Sequence, residues 1–238
     1  MGWTVIGSKP GLLENPAWKD REIEMKMNKV DTEKAYQLLW DKITSLELKP
    51  REILDIAALA DELGFSQASI REALRLLIHD HLVEAPLRGL YVAELKFSDL
   101  EKISTVRLNL ETLAAQQAAR HATKDDLIIL QTLCEEVAQD TRELFTLDQR
   151  FHQAIAKAAH NNYLAETLQQ LYGLSKRLWF LALPYLDFLP SAVKSHIKLV
   201  EAIRNKNESL AMEIMQTHIE EFYLKIKDII QEKELVEK

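Results

Sequence analysis

Asp148 and His152 stand four residues apart in LDQRFHQAIAKAAHN (147–161), a carboxylate and an imidazole separated by about one helical turn. That spacing sets them beside Leu144, Phe151, Ile155 and Ala159, at the edge of the face that must be buried. His196 falls among Val193, Ile197, Val200 and Ile203, and His218 among Ala211, Ile214, Met215 and Phe222, each in a segment of helical apolar spacing. One charge and three imidazoles inside an apolar bundle are costly without partners. A divalent cation would satisfy all four. Three nitrogens and one oxygen with room for water suit Zn²⁺, with Ni²⁺ or Mn²⁺ as alternatives, better than Mg²⁺ or Ca²⁺. The competing reading has each histidine donating to a backbone carbonyl and Asp148 pairing with Arg150 or Lys157 at the surface. Sequence separations this long carry no compact ligand motif. The other four histidines, His79, His81, His121 and His160, lie near helix ends, where imidazoles can meet free carbonyls.

The elements that would position these groups are helices. From residue 97 to about 232 the chain has helical spacing throughout, over 98–122 (with Ser98 as cap), 124–139, 141–159, 162–182, 190–204 and 208–232. Their short connections predict an antiparallel six-helix bundle. Leu, Ile and Ala dominate the 238 residues, which include only six Gly and six Pro. Gly64, Gly89 and Gly173 are expected to mark turns.

Upstream, DTEKAYQLLWDKITSLELKP opens on a possible Asp31 cap and runs as a helix towards Pro50. Two short helices follow, with Ile56, Leu59, Ala60 and Leu63, then Ile70, Ala73, Leu74 and Leu77, at i, i+3, i+4 and i+7. Gly64 can end the first and Ser66 can cap the second, which is helix-turn-helix spacing. HLVEA and LYVAEL then read as two short strands, with Arg88 and Gly89 at the tip between them. The fold predicted is mostly α, an N-terminal winged helix-turn-helix over 31–95 and a helical domain over 96–232, behind a flexible arm of residues 1–30. Gln67, Arg71 and Arg75 lie along one exposed flank of the second short helix, where amide and guanidinium groups suit base edges and phosphates of the major groove.

The alternative is a three-helix core used for protein contact, with Arg71 paired to Glu72, Asp61 or Glu62. Charge gives that alternative substance. Residues 1–93 hold 12 basic and 15 acidic side chains, and the whole chain has a net charge of −7. DNA binding therefore needs local positive groups and two copies acting together. The single Cys134 excludes an intrachain disulfide framework. No apolar run reaches membrane-spanning length and the first 20 residues lack a signal-peptide pattern, so a cytoplasmic location is expected.

The stretch LADELGFSQASIREALRLLIHDHLVEAPLRGLYVAEL resembles the DNA-binding domain of GntR-family bacterial transcription regulators. The Ile70-Arg71-Glu72-Ala73-Leu74 block, Leu82-Val83 and Arg88-Gly89 carry the resemblance. It implies that Ser66, Gln67, Ser69, Arg71, Arg75, Arg88 and Gly89 meet double-stranded operator DNA. Gln67 replaces the usual arginine, Ser69 the usual proline and His81 the usual glycine. A preference for adenine over guanine is therefore expected at the Gln67 contact.

The segments LDQRFHQAIAKAAHNNYL and SHIKLVEAIRNKNESLAMEIMQTH are similar to the FCD effector-binding domain of the FadR/VanR-like subfamily. That likeness implies a metal at Asp148, His152, His196 and His218, on the floor of a pocket for a small organic acid. Arg107 matches an arginine often found near such pockets; its other role would be an i,i+4 pair with Glu111. Trp179 and Tyr185 could shape the pocket or be simple core. The family also implies a homodimer on a palindromic operator, more commonly as a repressor released by ligand, with residues 93–102 as the lever. Two other readings stay open: a metal-dependent hydrolase lacking an evident general base, and a helical adaptor that has lost its DNA contacts.

Overall fold

A computed structural model describes residues 16–186 and 189–235, with side chains over 29–186 and 194–235. Helix α1 (Pro16–Thr44) opens on a proline, whose missing N–H costs nothing at a first helical position. The Glu-, Met- and Lys-rich run behind it favours helix, so the arm expected over residues 1–30 is helical from Pro16 and Asp31 lies inside the helix rather than capping it. Residues 1–15 are outside the described residues.

Helix α2 (Ile56–Leu63) is capped by Asp55, whose Oδ1 accepts from the N–H groups of Ala57 (2.8 Å) and Ala58 (3.0 Å). It ends at Gly64, with φ +73°, a left-handed turn that glycine adopts at no steric cost. Ser66 then caps α3 (Gln67–His79) by accepting from Ser69 N at 3.1 Å. The apolar stripes of α2 and α3 close on α1 through Leu39, Ile43, Leu59, Ile70, Leu74 and Leu77. Strands β1 (Val83–Glu84) and β2 (Tyr91–Val92) pair antiparallel, Val83 opposite Val92. Backbone bonds from Val92 N to Glu52 O and Leu54 N to Leu90 O, both 2.9 Å, add a short extended segment to the wing.

The bundle comprises α4 (Phe97–His121), α5 (Lys124–Glu135), α6 (Thr141–Ala158), α7 (Asn162–Ala182), α8 (Leu189–Arg204) and α9 (Glu208–Glu232). Its tight connections follow from the caps. Thr123 and Asp126 form a reciprocal capping box, and Asp140, Asn161 and Asn207 start α6, α7 and α9. Helix α4 departs from this rule: Lys96 occupies its N-cap position without a side-chain hydrogen bond, and Ser98, the expected cap, lies in the first turn. Helix α5 stops at Glu135, four residues before its expected end. Beyond it Val137 is exposed and Gln139 N donates to Glu143, which draws the segment into the start of α6.

Gly173 is not at a turn. It lies in the middle of α7, where an added Cβ would stand 2.9 Å from Trp40 Nε1, so the missing side chain lets α7 press on α1. The same face of α7 offers Gln170 Nε2 to Asp80 Oδ1 (2.9 Å) and sets Lys176 Nζ 4.7 Å from the Trp40 ring centre. Asp80, directly after α3, also accepts from Tyr36 OH of α1 at 2.6 Å. The winged domain is thus tied at the end of α3 to the bundle.

Candidate metal centre and DNA-reading face

Asp148 and His152 come from α6, His196 from α8 and His218 from α9, and all four side chains are buried. One ligand atom from each falls within 4.8 Å of every other. From Asp148 Oδ1 the distances are 3.3 Å to His196 Nε2, 3.8 Å to His152 Nε2 and 4.0 Å to His218 Nε2, and the last two nitrogens are 3.1 Å apart. A tetrahedral ion with bonds of about 2.1 Å holds its ligand atoms about 3.4 Å apart, so the cluster has the dimensions of such a cage. Asp148 Oδ1 and His196 Nε2 are close, yet neither makes a hydrogen bond of acceptable geometry. Two buried polar atoms without hydrogen-bond partners, facing each other among imidazoles, suit a shared cation better than a closed polar network. These residues could hold a metal.

The protonation states point the same way. Burial would raise the Asp148 carboxyl, but the three imidazoles outweigh it and hold the group below the usual carboxylate range. Burial lowers His196, only partly offset by Asp148, and burial with the neighbouring imidazoles pushes His218 down to about 3. A neutral imidazole beside an ionised carboxylate is the form a metal needs. His152 differs. Burial would lower it, but Glu111 and Asp148 together raise it, so this is the ring a metal would have to deprotonate.

The surroundings supply orientation that sequence reading missed. Glu111 of α4 meets His152 Nδ1 in an ion-pair contact, and Ser195 Oγ lies 2.9 Å from His218 Nδ1. Each fixes the outer nitrogen of a ring whose Nε2 faces the cluster. Phe151 stacks on His196 with centroids 3.9 Å apart. Glu111 was visible beforehand only as a partner for Arg107. That pair does form, and it is buried; Arg107 and His152 bring Glu111 down to about 2 against the effect of burial. The Arg107 guanidinium also lies 4.4 Å from the Trp179 ring centre and 5.2 Å from that of Tyr172, and its Nε has no hydrogen-bond partner. Tyr185, by contrast, stands at the surface, outside the site. Ile197, expected beside His196, is exposed because adjacent helical residues point about 100° apart. Val193 lies outside the residues whose side chains are described. A cleft of about 350 Å³ between α8 and α9 reaches His218 past Ser195, Thr217, Glu221 and Phe222.

On the winged domain, Ser66, Gln67, Arg71 and Arg75 of the second short helix are exposed, as are Arg88 and Gly89 at the wing tip. Arg75, not Arg71, takes Glu72, with its Nε 2.9 Å from Glu72 Oε2 and Nη2 2.6 Å from Oε1. Arg71 makes no ion pair among the described residues. Ser69 is buried beneath the cap, its Oγ 3.0 Å from that of Ser66. Gly89 has φ +141° and abuts the Tyr91 ring.

Residues 31–92 match the family model for bacterial regulatory proteins of the gntR family, and residues 102–221 match that of the FCD domain. The chain is a GntR-family transcriptional regulator with an FCD domain. It is 30% identical to the HTH-type transcriptional regulator McbR of Escherichia coli over 74% of this chain and 85% of that protein. YdhC of Bacillus subtilis, an uncharacterised HTH-type transcriptional regulator, is 28% identical, covering 83% and 91% of the two chains. The gluconate operon transcriptional repressor of Bacillus licheniformis is 24% identical over 79% and 82%. The solved structure of E. coli McbR/YncC superimposes with a TM-score of 0.74 at 22% identity, covering 83% of this chain and 97% of that one. This GntR-family membership places the chain among regulators rather than enzymes. No described helix is long and apolar enough to cross a membrane.

Proposed function

We propose that this GntR-family regulator is a ligand-responsive repressor, binding a palindromic operator as a homodimer and releasing it when a small organic acid occupies a metal-bearing pocket in the bundle. The buried cluster of Asp148, His152, His196 and His218 carries this reading, because its unpartnered atoms need a cation. Zn²⁺ fits three imidazoles and one carboxylate best. When bound, the metal offers an electrophilic position for an acid's carboxylate. Glu111 and Ser195 hold the rings, and Arg107 contributes positive charge beside them. Similarity to the gluconate operon transcriptional repressor of Bacillus licheniformis supports both the repressor role and the acid.

Gln67, Arg71 and Arg75 read the major groove from Ser66 onward, while Arg88 and Gly89 bring the wing to the backbone. The buried Ser69 supports the helix start. We take the boundary between the domains at about residue 95. Coupling runs through residues 93–102 and also through α7, which faces Arg107 with Tyr172 and Trp179 and faces the winged domain with Gln170, Gly173 and Lys176. A ligand that shifts α7 shifts the winged domain with it.

Elemental analysis of the purified chain is expected to find about one metal per chain. Anisotropy with intergenic DNA beside its own gene should show binding at about 50 mM salt that an organic acid weakens only when metal is present. Metal-free protein whose unfolding is indifferent to added metal would overturn the pocket. No binding to any such fragment would overturn the operator reading.

A further inference from the structure

A second cleft, of about 300 Å³, opens where the two domains meet. One wall is the winged domain, with His81 and Glu84, and the other is the bundle, with Ile103 of α4 and Leu174, Arg177 and Leu178 of α7. The connecting segment Ala93–Lys96 forms its edge. Arg177 is 2% exposed. It donates from Nη2 to Ala93 O, while its Nε is buried without a partner. A guanidinium carries five N–H donors, and a buried one normally lies against a carboxylate. None does so here: Glu84 acts on Arg177 only at a distance, and burial pushes the guanidinium down to about 10.

The start of α4 borders the same cleft. Lys96, at its N-cap, leaves the first amides without a capping side chain, and it makes no ion pair among the described residues. The two other acids in the cleft are engaged: Glu94 with Arg51, and Asp99 with Lys102 at 3.3 Å. What remains, beside the Glu84 carboxylate on the winged-domain wall, which makes no ion pair among the described residues, is a buried guanidinium with a spare donor and a lysine around apolar Ile103, Leu174 and Leu178. This is an anion-binding combination.

We propose that this interdomain cleft is a second small-molecule site, taking the oxyanion group of a metabolite, a phosphate or a carboxylate, on Arg177 and Lys96. The site is separate from the metal cluster and needs no metal. A ligand here touches the wing side, the connecting segment and α7 together, so its occupancy depends on how the two domains are arranged. It therefore changes operator affinity without occupancy of the bundle pocket, through the same connecting segment and α7.

Calorimetric titration of the full, chelator-treated chain with inorganic phosphate, and separately with succinate, tests this. Saturable binding below about 10 mM by either probe is expected, weakened about tenfold or more in Arg177→Gln and several-fold in Lys96→Glu. Binding of phosphate alone, succinate alone or both assigns the oxyanion class. The proposal fails if neither probe saturates, if binding requires metal, or if both variants bind as the parent does. Should Arg177→Gln not fold by circular dichroism, Lys96→Glu, at the rim, decides alone.

Discussion

The exposed flank of α3 and the buried cluster of the bundle hold polar groups under opposite conditions. Gln67, Arg71 and Arg75 stand in solvent, where an exposed polar group costs little whether or not the protein pairs it, so all three are open to a partner outside the molecule. Asp148, His152, His196 and His218 have lost that solvent, and apart from Glu111 and Ser195 on two outer ring nitrogens their polar atoms meet one another, an arrangement that could hold a cation. An exposed polar group on a helix can meet a partner at no cost; a buried one without a partner carries a cost that a ligand could relieve. Arg177 extends the second rule to the domain junction.

The largest effect that separates the two regions is expected from His196→Ala. Removing one ring should abolish the metal and with it the stabilisation by bound metal, about 4 kcal/mol where metal stands at a thousandfold its Kd. Elemental analysis and thermal unfolding with and without metal read both, and DNA binding by the ligand-free protein should survive. Unchanged metal content would break the comparison at its buried end.

Arg71→Ala is the converse, with metal content untouched and operator binding weaker by about 1–3 kcal/mol in anisotropy. Arg75→Ala should cost less, because Glu72 already holds that guanidinium. Equal losses would mean that Arg75 leaves Glu72 for DNA. In binding-site selection, Gln67→Arg should move the preferred base from adenine towards guanine.

Gly173→Ala tests whether the two regions communicate. A methyl against the Trp40 ring should destabilise by about 1–3 kcal/mol in urea unfolding and reduce the response of DNA binding to acid, leaving metal content at parent level. An unaltered response would remove α7 from the coupling route.

The smallest effect is a control on a polar group with ordinary partners. Burial works against Asp126, but hydrogen bonds from Thr123 and His160 hold its carboxyl below the usual value. Its stabilisation is therefore present above about pH 4 and lost as pH falls through the lowered folded value. The stability difference between the parent and Asp126→Asn should be about 1 kcal/mol at pH 7, discounted for solvent screening, and should shrink towards pH 3 in urea unfolding. A difference constant with pH would remove the charge from the account.

Much of this was legible beforehand because it is local. Helical period placed Asp148 and His152 near the core, and Ser66, the residue type that begins helices, caps α3 where it was expected. Where local rules failed, a distant residue intervened. Gly173 signals a turn until Trp40 arrives against it, and Arg107–Glu111 reads as an i,i+4 pair within one helix until α6 brings His152 onto the same carboxylate. Ser98 should cap α4 by type, but the helix starts at Phe97, with Lys96 at the N-cap two residues earlier.

By itself the sequence determined the helices, the helix-turn-helix punctuation and which faces are apolar, since period and capping act within a few residues. Only the tertiary structure decided that residues from α6, α8 and α9 meet within a single ion's reach, and that α7 joins the cluster's surroundings to the winged domain. The physical reason is that a buried charge is answered by whatever packs against it, and packing partners here lie tens of residues away along the chain.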